Sequence, residues 1–187
     1  MKTNKVYPVI LLLVICMVGT SLDISAQIKN GDKRSKKEER RAKAEYSYRT
    51  LDSLMSSGRY VLEANYLQSK YGTMLPVSSN INFIRVNGPK GILQTGNDLR
   101  DGYNGIGGVT AEGKISNYVI KRDPKRLTMA VTYQLFTNIG TYDIMLNVGA
   151  DNSASATISG MTSARLTWRG QIVSLDKSKT FKGQTTY

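Results

Sequence analysis

Histidine is missing from all 187 residues, and cysteine occurs once, at Cys16. Together these shortages exclude zinc and copper centres built on Cys or His, a Ser-His-Asp triad and any histidine base. A lone cysteine cannot close an internal disulfide, so the fold must stand on its packed core. What remains for chemistry is carboxylate, lysine, tyrosine or serine. Acidic residues are also scarce, 14 against 26 Lys and Arg, for a net charge of +12. Long apolar runs are limited to one, "VILLLVICMVG" from Val9 to Gly19.

That run follows Lys2 and Lys5 and precedes "TSLDISAQ", with small residues at Ser25 and Ala26. Charged start, short apolar run and small-residue segment come in the order of a secretory signal, so residues 1–26 read as a signal peptide. The run is short for a hydrocarbon core of roughly 30 Å, which makes an uncleaved anchor the second reading. Cys16 sits inside the run with Ile15 before it, where lipid attachment wants a small residue. Lipid anchoring is therefore not expected, and the destination is periplasmic or extracellular. Residues 27–43 form a basic arm and the start of a helix, and residues 44–187 a single domain of suitable size for one core.

The arm contains "KRSKKEERRAK", with seven basic and two acidic residues. Lys33, Arg34, Lys36, Lys37, Arg40, Arg41 and Lys43 are candidates for touching anionic lipid, polysaccharide or an acidic partner, each worth roughly 1 kcal/mol at a charged membrane surface. A solvated linker is the alternative. Nucleic acid is disfavoured as a partner, since export argues against it and no recognition module is visible. "SKKE" from Ser35 to Glu38 reads as a capping box. The helix then runs from about Lys36 to Ser57 and stops at Gly58. Ala44, Tyr48, Leu51 and Met55 form its apolar stripe, confined to the second half.

Beyond Gly58 the period changes to two. "RLTMAVTYQLF" places Leu127, Met129, Val131, Tyr133 and Leu135 on one face. "TYDIMLNVG" contributes Tyr142, Ile144, Leu146 and Val148, "SASATISG" contributes Ala154, Ala156 and Ile158, and "RLTWRGQIVSL" contributes Leu166, Trp168 and Ile172. Earlier strands are "RYVLEANYL", "NINFIRV", "GILQT" and "GVTAEGKISNYVIK", separated by turn signals such as "NGPKG" and "RDPKR". One-sided strands joined by tight turns predict an antiparallel, mainly β fold. Eight of them fit an up-and-down barrel or a curled sandwich, preceded by one α-helix. Gly113 and Gly170, both inside strands, mark a bend, a bulge or a close approach.

The densest glycine stretch is "DGYNGIGGVTAEGKI", Asp101 to Ile115. Thr110 stands where a dinucleotide fingerprint needs its third glycine, and Ile115 follows Lys114 where a phosphate loop needs Ser or Thr. Both motifs also require a helix next, whereas "VTAEGKI" alternates as a strand. Asn104, Gly105, Gly107 and Gly108 therefore read as structural turn residues, with Asn104-Gly105 a type I′ pair.

"LDSLMSSGRYVLEANY", "NFIRVNG", "GYNGIGGVTAEGKI" and "SARLTWRGQI" also resemble a known family, the domain-of-unknown-function family 4251 of Bacteroidetes, over roughly Glu45 to Val173. The resemblance implies a secreted or lipid-anchored protein with a compact lipocalin-like barrel behind a helix. It implies no activity and carries over no catalytic residue.

Function at this level is read from the inward faces. Tyr133, Tyr142 and Trp168 are candidate lining for a small apolar or amphipathic ligand, because an eight-stranded barrel either holds such a ligand or fills itself with side chains. Glu63, Asp98, Asp101, Glu112, Asp123 and Asp143 are the carboxylates open to hydrolase chemistry, yet their spacing selects no pair. The expectation is a non-catalytic protein with no cofactor and no metal. Ligand identity and oligomeric state are not legible.

Overall fold

The computed structural model describes residues 34–97, 103–160 and 165–187. The chain divides into two units, Met1–Lys43 and Ala44–Tyr187. Helix α1 covers residues 34–57, and its part in the first unit, residues 34–43, is solvent-exposed at every position. Ser35 is itself helical. It is thus not the cap that "SKKE" suggested: strong helix formers on both sides extend the helix past a serine. At the other end the expected stop holds. Gly58 adopts φ +61°, and its N–H donates to the Met55 carbonyl at 3.2 Å.

Among the described residues nine strands follow: β1 (Arg59–Gln68), β2 (Met74–Pro76), β3 (Phe83–Asn87), β4 (Lys90–Gln94), β5 (Thr110–Asp123), β6 (Thr128–Thr137), β7 (Gly140–Gly149), β8 (Ser153–Ser159) and β9 (Arg165–Ser174). Eight are the expected ones, and β2 is a short addition on the edge of β1. Every pairing is antiparallel, in the order β1-β3-β4-β5-β6-β7-β8-β9. The first and last members also pair, Tyr60 opposite Ser174 through Gln68 opposite Thr167. The result is a closed eight-stranded up-and-down barrel, which leaves no free edge along most of its circumference.

Alternation decides which side chains enter. Met129, Val131, Tyr133 and Leu135 of β6, Ile144, Leu146 and Val148 of β7, and Trp168 and Ile172 of β9 join one core with Tyr60 and Leu62 of β1. Tyr48, Leu51 and Met55 of α1 belong to that same core, with Ala44 half-buried. The helix therefore packs onto the inward residues. It does so at the end where β1 begins and β5 finishes, since Arg122 Nε meets Asp52 Oδ1 at 2.8 Å and Tyr118 Oη donates to the Met55 carbonyl at 2.9 Å.

Two irregularities curl the wall. Opposite Gly170, β1 carries a bulge between Ala64 and Tyr66. A second bulge lies on β5 between Ser116 and Val119, where Asn117 takes φ +55°. The extra residue keeps Tyr118 and Ile120 directed at the core after the strand bends.

The outer wall has a covering that the strand pattern did not announce. Val61, Phe83 and Ile92 point outward from β1, β3 and β4 and form a second small core with Leu175. From there residues 176–187 run down the outside of the barrel without regular structure. Beneath them Gln94, Asn104 and Thr110 are buried polar residues.

Candidate functional site

The glycine stretch is organised by one side chain. Asn104 Oδ1 accepts from the N–H of Ile106 at 3.1 Å and of Gly108 at 3.0 Å. Its Nδ2 donates to the Thr95 carbonyl at 2.9 Å and to Thr110 Oγ1 at 3.1 Å. Gly105 and Gly107 take φ +74° and +75°, but Asn104 does not have a positive φ. The type I′ assignment is therefore corrected: Asn104 acts through its amide rather than through a left-handed backbone, in the manner of an Asx turn. Those loop N–H groups are already engaged, and a strand rather than a helix follows. Neither property suits a phosphate cradle.

Four of the six candidate carboxylates are likewise spoken for. Glu63 accepts from Ser178 Oγ at 2.7 Å, Asp123 caps its turn by accepting from the N–H of Lys125 and Arg126, and Asp143 accepts from Gln134 Nε2 at 3.0 Å. Glu112 pairs with Lys182, and the hydrogen bond from that ammonium holds its pKa below the ordinary value. Asp98 and Asp101 lie outside the described residues.

Tyr133, Tyr142 and Trp168 are not brought together. Tyr133 sits toward α1, its ring centroid 5.8 Å from that of Tyr118, and the Tyr118 hydroxyl lies 3.5 Å from that of Tyr60. Burial raises the pKa of all three phenols, most of all at Tyr60 and Tyr133. Their unfolded value is near 10.0, so above that pH the unfolded chain gives up protons that the folded chain keeps. Stability is full below about pH 10 and should fall as pH rises toward the folded values, by about 1.4 kcal/mol per unit for each phenol withheld. Urea midpoints at pH 9, 10 and 11 check this. A flat profile, or one matched by the Tyr133→Phe variant, would show that the cluster does not govern alkaline stability.

Tyr142 and Trp168 do share a cavity. It occupies about 250 Å³ and is lined by Leu93, Val109, Ala111, Ile158, Leu166 and the two aromatics, with Thr95 and Gly160 at its edge. These residues come from the finish of β4 and β8 and the start of β5, β7 and β9, which is the end of the barrel away from α1. Among the described residues, no charged side chain lines it. Trp168 is 1% exposed, and its indole N–H has no acceptor among the described residues. An orphaned buried donor costs about 1–3 kcal/mol, so an acceptor arriving from outside the protein would be favoured. A wider, open groove of about 680 Å³ lies on the outer faces of β5–β9 between Lys121 and Arg169. Its lining mixes Thr128, Asn147, Ser153 and Ser155 with apolar Met129, Ala130, Val148 and Ala154 and with charged side chains, and it stands open to water.

Of the basic arm, Arg34, Lys36, Lys37, Arg40, Arg41 and Lys43 lie on exposed turns of α1, whereas Lys33 lies outside the described residues. What sequence reasoning missed is the outer network of Gln94, Asn104 and Thr110 beneath the C-terminal tail. Polar residues in strand-edge positions give no periodic signal, and only the doubly apolar strands next to them hinted at a cover.

Comparison with known proteins agrees with this architecture. A family model described as a domain of unknown function (DUF4251) matches residues 42–172. A comparison with curated proteins finds no match. Among solved structures, the chain is similar to a DUF4251 family protein from Bacteroides eggerthii DSM 20697, at 32% identity and a TM-score of 0.60, covering 71% of this chain and 91% of that one. The chain belongs to the DUF4251 family.

Proposed function

We propose that this is an exported, non-catalytic protein whose barrel takes a small, uncharged apolar or amphipathic ligand at the mouth away from α1. The observation that carries the reading is the cavity of about 250 Å³ lined by Tyr142 and Trp168, whose described lining carries no charge, in a barrel with a packed apolar core. Drug-sized ligands occupy roughly 300–1,000 Å³, so the occupant is a smaller molecule or one end of a longer one. The similar protein from a Bacteroides and the signal-like residues 1–26 favour an envelope location.

The single tryptophan makes the test direct. Titration with a neutral series, from 1-octanol to acetophenone, should change Trp168 emission saturably. Gly160→Leu should abolish that change, because a Cβ at Gly160 meets only the Tyr142 ring at an ordinary 3.4 Å and the longer side chain fills the mouth. If no member of the series saturates, and native mass spectrometry of protein from its own envelope shows no bound mass, the reading fails.

A second reading rests on residues 34–43. This exposed helical stretch carries six basic side chains against two acidic ones and suits an anionic lipid, polysaccharide or acidic partner surface. Removal of residues 27–43 should cost most of the binding to vesicles containing one-third anionic lipid, and added salt should weaken it. Unchanged binding after truncation would exclude the arm as the contact.

A further inference from the structure

The C-terminal tail is held on the outer wall by a set of contacts that read an extended backbone. The Phe181 N–H donates to the Asn80 carbonyl at 2.8 Å, and Gln94 Nε2 donates to the Phe181 carbonyl at 2.7 Å. The Gly183 N–H donates to Gln94 Oε1 at 2.8 Å, and the Gln184 N–H to the Asn104 carbonyl at 3.0 Å. The Thr186 N–H then donates to the Thr110 carbonyl at 2.9 Å, while the Thr110 N–H donates to Thr186 Oγ1 at 3.2 Å. A single amide, that of Gln94, serves both a tail donor and a tail acceptor. It is fully buried and fixed from behind by Thr110 Oγ1, which donates to Oε1 at 3.0 Å.

Side chains add sequence preference to this backbone reading. Glu112 receives Lys182 Nζ and, at 3.1 Å, Thr185 Oγ1. A Cβ at Gly183 would come to 2.7 Å from the Asn104 carbonyl oxygen and 3.1 Å from the Ile106 side chain, so only glycine passes there. Phe181, by contrast, is 61% exposed and Tyr187 91%, and neither is selected. The recognised pattern is therefore Lys-Gly-x-Thr-Thr in extended form, as residues 182–186 supply it.

We propose that this outer wall is a peptide-docking surface reading Lys-Gly-x-Thr-Thr, and that the partner it fits is the tail of a second copy of this chain. The pattern of donors and acceptors is that of a peptide lying along polar groups at a sheet's margin, in which main-chain bonds give affinity and a few side chains give selectivity. The tail leaves β9 through a short turn at residues 175–177, where the Lys177 N–H donates to the Ser174 carbonyl at 3.1 Å. Exchange of such a segment between identical copies breaks and remakes the same contacts, which makes it an inexpensive route to association. The docked residues also lie beyond residues 42–172, so the shared family region does not include them.

The test uses a fluorescently labelled peptide of residues 175–187 and the whole chain carrying Gly183→Ala. That substitution weakens the chain's own tail and leaves the groove intact. The peptide should bind the variant saturably and at least roughly tenfold more tightly than it binds the unaltered chain, whose own tail competes at a millimolar effective concentration. The same peptide made with alanine at the Gly183 position should bind the variant roughly tenfold more weakly. Absence of saturable binding to the variant, or equal binding of the two peptides, overturns the proposal. Because the discriminating change is on the peptide, folding of the protein does not enter that comparison.

Discussion

Gly113→Ala is expected to destabilise the barrel by about 3 kcal/mol, at the upper end of what overpacking costs. In an ordinary strand the same change would be favourable by about 0.5–1 kcal/mol, because glycine loses the most backbone freedom on folding. The sign reverses here because a Cβ on Gly113 would lie 1.7 Å from the Phe136 carbonyl oxygen and 3.0 Å from the Thr137 Cα. Both obstacles are backbone of β6, so no rotamer change relieves them, and the β5–β6 ladder must spread where Gly113 faces Thr137. Gly170 is in the same position against the Glu63 carbonyl, at 1.8 Å, across from the β1 bulge. Urea unfolding of either variant should show a lowered midpoint. A midpoint equal to or above that of the unaltered protein would mean that the walls do not approach as closely as the structure has them.

Met55→Ala is expected to cost about 3 kcal/mol as well, within the range of roughly 2–5 for truncating a buried methionine. Met55 is fully buried among the inward residues, and its carbonyl accepts the Tyr118 hydroxyl. Ser53, on the exposed face of the same helix, should tolerate alanine within about 0.5 kcal/mol. If the last turns of α1 are part of one cooperative core, far-ultraviolet ellipticity and Trp168 emission will report the same lowered midpoint in the Met55 variant. Separate transitions, with helix lost before the barrel opens, would show that α1 is an appendage.

The strands were readable because each has one face in water and one in the core, and water sorts side chains with period two. β6 is the clearest case: Thr128, Ala130, Thr132 and Gln134 alternate with Met129, Val131, Tyr133 and Leu135. The helix stripe Tyr48, Leu51 and Met55 was readable for the same reason at a different period. What escaped was structure whose cause is not hydrophobic sorting. The β5 bulge depends on Asn117 taking a left-handed conformation, and the asparagine alone does not distinguish that from an ordinary solvent-facing position. The tail at residues 176–187 is polar and held by side-chain amides, so it has no period at all. Its trace in the sequence is indirect. Tyr60-Val61-Leu62, Phe83-Ile84 and Ile92-Leu93 are apolar on successive positions, as strands covered on both faces are.

Of the candidate site, Tyr133 groups with Tyr142 and Trp168 in the sequence because all three are inward aromatics, but inwardness says nothing about height along the barrel. Tyr133 shares their face and lies nearer the helix, in the phenol cluster with Tyr60 and Tyr118. Depth is set by strand tilt and register, which depend on pairings between distant segments.

The seam between β1 and β9 has a consequence for biogenesis. β1 is among the first strands to leave a ribosome and its final partner is the last, so closure waits for almost the whole domain to be made. Until then Val61 and Leu62 sit on an unpaired margin, and the entropy of joining such distant segments makes this step slow. That delay is a hazard for aggregation, and the interval before the seam zips is when a chaperone would have most to hold.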